Sequence, residues 1–105
     1  VKDDPGTIIE KGLKTGSEKE FAKLDPLIKA NKVIIVELLD TVVPKNAIAV
    51  HLKLINALSN TLTDLEAIRV FLVDPLRSYP AVAQFNKHIK DSITAINEMA
   101  NYKPK

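Results

Sequence analysis

PKNAIAVHLKLINALSNTLTDLEAIRVFLVDP, from Pro44 to Pro75, is the longest uninterrupted helical pattern in the chain, and the remaining segments read as partners for it. Apolar residues recur at Ile48, Leu52, Ile55, Leu58, Leu62, Leu65, Ile68 and Leu72. Steps of three and four place them on one helical face. Ala47, Val50, Leu54, Ala57 and Thr61 form a second line beside the first. The apolar arc is therefore wide, as expected for a helix that covers neighbours on two sides. Asn46, Lys53, Asn56, Asn60, Asp64 and Ala67 trace its expected solvent side.

Working towards the N-terminus, Pro44 ends the preceding helix, because the residue before a proline is pushed out of helical geometry. That helix is expected over 17–43. Gly16 suits a left-handed stop, and Ser17 with Glu20 forms an S-x-x-E capping box that opens it. Phe21, Leu24, Ile28, Ile35, Leu38 and Val42 repeat at helical spacing, with Asn31 as the polar interruption of the stripe. Asp25-Pro26, an N-cap followed by a helix-opening proline, allows a kinked helix or two helices meeting there, and the kink is the preferred reading. Val33-Ile34-Ile35-Val36 has strand character, but no second strand with a turn signal pairs with it. Before Gly16, Asp4 can cap a short helix with Pro5 at its first position and Ile8, Ile9 and Leu13 facing the bundle. Gly6, Gly12 and Gly16 leave residues 1–16 weakly specified.

Towards the C-terminus, Val73 to Pro80 holds two prolines with Asp74 and Ser78 as cap residues, and reads as a turn that can include one helical turn. The last helix is expected over 81–101, with Val82, Phe85, Ile89, Ile93 and Ile96 on a narrow stripe. Gln84, Lys87, His88, Lys90 and Asp91 lie on its polar faces, and Lys103, Pro104 and Lys105 form a solvated tail. The expected fold is all-α: a single domain over 1–105, an up-down-up bundle of three long helices (17–43, 45–73 and 81–101) with a short N-terminal helix.

Composition agrees with packed helices. Of 105 residues, 46% are hydrophobic and 5% aromatic, so the core must be built from Leu, Ile, Val and Ala. With 15 basic and 13 acidic residues the net charge is +2, too near balance to imply nucleic acid as the main partner. No apolar run reaches the roughly 20 residues that span a bilayer. The absence of cysteine excludes disulfides and thiol catalysis.

A search for chemistry finds few candidates. His51 borders the apolar arc of the central helix and reads as a core-edge histidine bonded to a neighbour. His88 falls outside its stripe and reads as solvated. Asn31 and His51 each interrupt an apolar line on adjacent antiparallel helices, so they are expected to meet as a buried polar pair. Such a pair commonly fixes register and less commonly binds a small ligand. The pairs Asp3/Asp4 and Asp64/Glu66, with Glu18 and Glu20, read as caps and solvent-face charges. The serines lack a nucleophile elbow, and no metal-ligand spacing is present. No catalytic residue, cofactor or metal ligand is assigned, and no enzyme activity is expected. Val33, Val36 and Val70 exceed what a three-helix core needs and are the candidate contact surface.

Leu24-Asp25-Pro26-Leu27-Ile28, Val43-Pro44, His51, Leu54-Ile55-Asn56-Ala57-Leu58 and Asp74-Pro75, in that order, resemble an uncharacterised helical domain in predicted membrane-anchored cell-envelope proteins of uncultivated small-genome bacteria. The resemblance covers Thr7 to Tyr102. It implies that His51 and Asn56 are family features, and that the chain is an extracytoplasmic ectodomain attached to the membrane through a segment outside this sequence. That family carries no assigned activity. The functional expectation is a non-enzymatic interaction or structural module that binds a protein partner or a second copy of itself. The alternative is a small-ligand-binding bundle with a polar site near Asn31 and His51.

Overall fold

The computed structural model describes residues 4–101; the tail at 103–105, like Val1 and Tyr102, lies outside the described residues. The first helix, α1, is Pro5–Thr15, with Asp4 accepting from the Thr7 amide at 2.8 Å and Pro5 in the first turn. That amide holds the Asp4 carboxyl below its usual range. The cap is thus in place at neutral pH and is lost as the pH falls through the lowered value. Gly16, at φ 61°, stops the helix and returns its amide to the Gly12 carbonyl. Residues 4–16 are therefore better formed than their glycines suggested.

The helix expected over 17–43 is two helices. Ser17 caps α2, Glu18–Ala22, and α3 runs Asp25–Asp40. Pro26 has no N–H for the Ala22 carbonyl and its ring would press on it, so the chain breaks there rather than bending. Thr41 is extended, and a single 3₁₀ turn at Lys45–Ala47 leads into α4, Ile48–Arg69. The last helix also starts earlier than expected. α5 is Pro75–Ala100, capped by Asp74, and carries Pro80 inside it. The carbonyl that Pro80 leaves without its helical amide belongs to Leu76, an exposed residue that water reaches, so the helix continues through it.

The architecture is all-α, with long helices packed in an up-down-up bundle. Cross-links fix the directions. Lys53 meets Glu98, Thr61 meets Ser92 and Asp64 meets His88, so α4 and α5 are antiparallel. Asp25 meets Arg69 and Lys32 meets Glu66, so α3 also runs against α4. Both α3 and α5 pack chiefly on α4. The molecule is elongated, 52 × 30 × 22 Å. Its radius of gyration of 15.3 Å exceeds the roughly 13 Å of a sphere-like domain of this size.

The core lies in two parts. At the end where α4 finishes, Ile8 and Ile9 of α1, Phe21 and Leu24 close over Leu65, Ile68, Ala81 and Phe85. At the opposite end a smaller cluster joins Leu54, Ala57, Leu58 and Ala95, with Ile35, Leu38 and Met99 against it. The solvent face assigned to α4 needs correction. Asp64 and Ala67 are buried, whereas Ile48 and Leu52 are 44% and 51% exposed. The buried face is turned towards the small residues of the second line because α5 packs there.

Gly12 is required by close approach. A Cβ at that position would lie 2.8 Å from the Phe21 ring, which is fully buried and stacked on Phe71 at 5.7 Å. Gly12→Ala is expected to lower unfolding stability by roughly 1 kcal/mol, overpacking outweighing helix propensity. Gly6→Ala meets only ordinary contact and is expected to raise stability by about 0.4–1 kcal/mol. Urea titration of both variants measures the difference; equal shifts would contradict the packing assignment.

Candidate functional site

Most of the polar side chains buried among the described residues, Thr61, Asp64, Ser78 and Ser92, lie along the seam between α4 and α5, while His51 faces α3. Leu54, Ala57, Thr61, Asp64 and Ile68 follow steps of three and four on α4, as do Ala81, Phe85, His88, Ser92 and Ala95 on α5. Small side chains on both lines let the backbones approach. Every polar atom brought into that contact then needs a partner inside it.

Asp64 and His88 are that kind of pair. Their side chains are 6% and 15% exposed, and His88 donates its Nδ1 proton to Asp64 Oδ2. One turn on, the Thr61 and Ser92 hydroxyls meet at 3.0 Å. Thr61 Oγ1 also lies 3.1 Å from the Ala57 carbonyl of its own helix. The consistent assignment has Thr61 donating to that carbonyl and accepting from Ser92. Near the end of α4, fully buried Ser78 donates to the Ala67 carbonyl, one of the terminal acceptors the helix itself cannot satisfy.

A carboxylate that orients an imidazole is half of a hydrolytic triad. Here the Thr61 and Ser92 hydroxyls are bonded to each other and to backbone, not to the imidazole, and the arrangement fastens α4 to α5. Among the described residues no group of three or more His, Asp or Glu side chains gathers in a way that could hold a metal ion. His88, expected to be solvated, and Asp64, assigned to the solvent face, are both corrected by this pair. The signal was present in the small-residue lines, which run through both positions; the larger Ile and Leu stripes drew attention away.

Asn31 and His51 are not brought together. Asn31 donates to the Leu27 carbonyl of its own helix at 2.9 Å. His51 is buried and reaches α3 near its end, with Nε2 2.8 Å from the Leu38 carbonyl. A carbonyl can only accept, so Nε2 carries the proton. That bond sets His51 at the level of Leu38, seven positions and about 10 Å along α3 from Asn31. The polar core site on which the small-ligand alternative rests is therefore not formed. His51 caps α3 together with Thr41, whose amide bonds the same carbonyl and whose hydroxyl bonds that of Glu37.

Arg69 fastens the other end. Its guanidinium takes Asp25 Oδ1 at 2.7 Å and Glu18 Oε1 at 2.6 Å, tying the end of α4 to the starts of α2 and α3, and both carboxylates raise its already high pKa.

Among the open grooves of the surface, two run along α4 and α3. One of about 350 Å³ between α4 and α5 is lined by Lys53, Asn56, Asn60, Asp91 and Thr94. The other, about 370 Å³, follows α3 along Lys32, Val33, Val36 and Glu37. Val33 and Val36 are 49% and 57% exposed, while Val70 is half-buried in the turn after α4, more than two helical turns above them. No described helix is long and apolar enough to cross a membrane. No family model, curated protein or solved structure matches the chain.

Removing either member of the Asp64–His88 pair strands the other in the seam. Asp64→Ala and His88→Ala are each expected to cost about 1–3 kcal/mol in urea unfolding. The double variant should fall short of the sum by at least about 0.5 kcal/mol. Strict additivity would mean that the two side chains do not interact.

Proposed function

We propose that the chain is a non-enzymatic helical interaction module whose working surface is the outward face of α3. The observation that carries this reading is the burial of α3 itself. None of its residues is fully buried, yet it is among the most apolar stretches of the chain. Leu27, Ile28, Ile35 and Leu38 face α4 and are partly covered. Val33, Val36 and Leu39 remain 49%, 57% and 63% exposed. Burying half-exposed aliphatic side chains of this size against a partner gains on the order of 1 kcal/mol each, so the face is suited to association. Val70, half-buried in the turn after α4, is not part of it.

The cell-envelope setting is supported by the resemblance of the Asp25-Pro26, Val43-Pro44, His51 and Asp74-Pro75 positions. In that setting the bundle stands outside the membrane on a linker and offers α3 to a protein in the same compartment. The gene sequence upstream of Val1 tests this part. About 20 apolar residues followed by a polar linker are expected; a start codon directly before Val1 would remove the envelope setting.

The surface assignment is tested by placing a photo-activated benzophenone at position 36 and irradiating the cells that make the protein. Protein adducts are expected from position 36 and not from the same probe at Asn97, an exposed site on α5. Absence of adducts at position 36 would overturn the assignment.

A further inference from the structure

We infer that the occupant of this face is a second copy of the same chain, with the two α3 helices docked antiparallel about a two-fold axis midway between Val33 and Val36. The inference rests on the reading of α3 as the working surface and adds the identity, direction and register of what covers it.

Lys29, Val33, Val36 and Asp40 are spaced four, three and four apart, so they form one line along α3. That line lies opposite the one formed by Ile28, Asn31, Ile35 and Leu38, which faces α4. All four of its residues are exposed. Its order is positive, apolar, apolar, negative, and this order is complementary to its own reverse. In an antiparallel pair centred between residues 34 and 35, Val33 of each copy meets Val36 of the other, and Lys29 of each meets Asp40 of the other. The flanking Lys32, which pairs with Glu66 of its own chain, and Glu37 lie at the edges of the same groove, so the match rests on Lys29 and Asp40.

Other arrangements lose this match. A parallel pair stacks Lys29 on Lys29 and Asp40 on Asp40. Sliding the antiparallel pair by one turn in either direction sets Asp40 or Lys29 against a valine, which desolvates a charge without a partner. An isologous contact requires a self-complementary patch, and this line is one. The contact spans a helix of 16 residues, about 24 Å. It is smaller than a standard interface, so association should be weak and concentration-dependent.

Sedimentation equilibrium of the purified chain at rising concentration tests this. The wild type is expected to pass from monomer to dimer. Lys29→Glu alone, or Asp40→Lys alone, sets like charges against each other at both symmetry-related sites and should weaken the dimer roughly tenfold or more. An equimolar mixture of the two variants restores both opposite-charge contacts and should recover wild-type association. Circular dichroism checks the fold, which neither exposed substitution should alter. Unchanged association of the single variants, or failure of the mixture to recover it, would overturn the antiparallel register. A wild type that stays monomeric up to millimolar concentration would overturn the dimer. If position 36 nevertheless yields adducts with a different protein, the module reading stands without the dimer; with no adducts at all, both fail.

Discussion

The close approach of α4 and α5 is the constraint from which the rest of the structure follows. Ala57, Thr61 and Ala67 on one helix, with Ser78, Ala81, Ser92 and Ala95 on the other, are all buried. Side chains this small bring two helices nearer than Leu and Ile would allow. The bulky residues are displaced to the flanks of the seam, where other helices must cover them. Polar groups in the contact are cut off from water, and the Asp64–His88 and Thr61–Ser92 pairs satisfy one another across it. Register and pairing thus reinforce each other, since a slip of one turn would bury these groups without partners.

Coverage of the flanks is unequal. α1 and α2 close one end over Leu65, Ile68 and Phe85, and Phe21 seals the contact because Gly12 leaves room for its ring. α3 covers the other flank with only one side of its surface. It is held at its start by Arg69 and at its end by His51, both reaching from α4. The ion pairs are largely exposed and individually contribute little. The geometry of α3 is therefore set by its two ends, while its middle presents Val33 and Val36 to the outside.

Much of this was legible in the sequence. Steps of three and four fixed the all-α class, and Asp4, Ser17, Gly16 and Asp74 marked helix ends correctly because capping is a local property. The misread polar residues share one cause: local signals were outweighed by contacts distant in sequence. Pro80 reads as a helix breaker, yet it sits where water can serve the carbonyl it leaves free. Asp25-Pro26 separates two helices because Pro26 leaves the Ala22 carbonyl without its amide, and Arg69 holds the break from outside. Asp64 and His88 look solvated until the Ala and Ser positions are counted as a packing stripe. Asn31 and His51 interrupt similar stripes, but the relative slide of α3 and α4, which no local pattern encodes, sets them two bundle layers apart.

Amide hydrogen exchange, followed residue by residue at low and at high protein concentration, tests the central claim most directly. The α4 and α5 amides should exchange slowest and show no concentration dependence, whereas α3 amides around Val33 and Val36 should exchange faster when dilute and gain protection when concentrated. Protection in α3 equal to that in α4 at every concentration would contradict the account, because it would make α3 an integral wall of the core and not a lightly held surface presented for association.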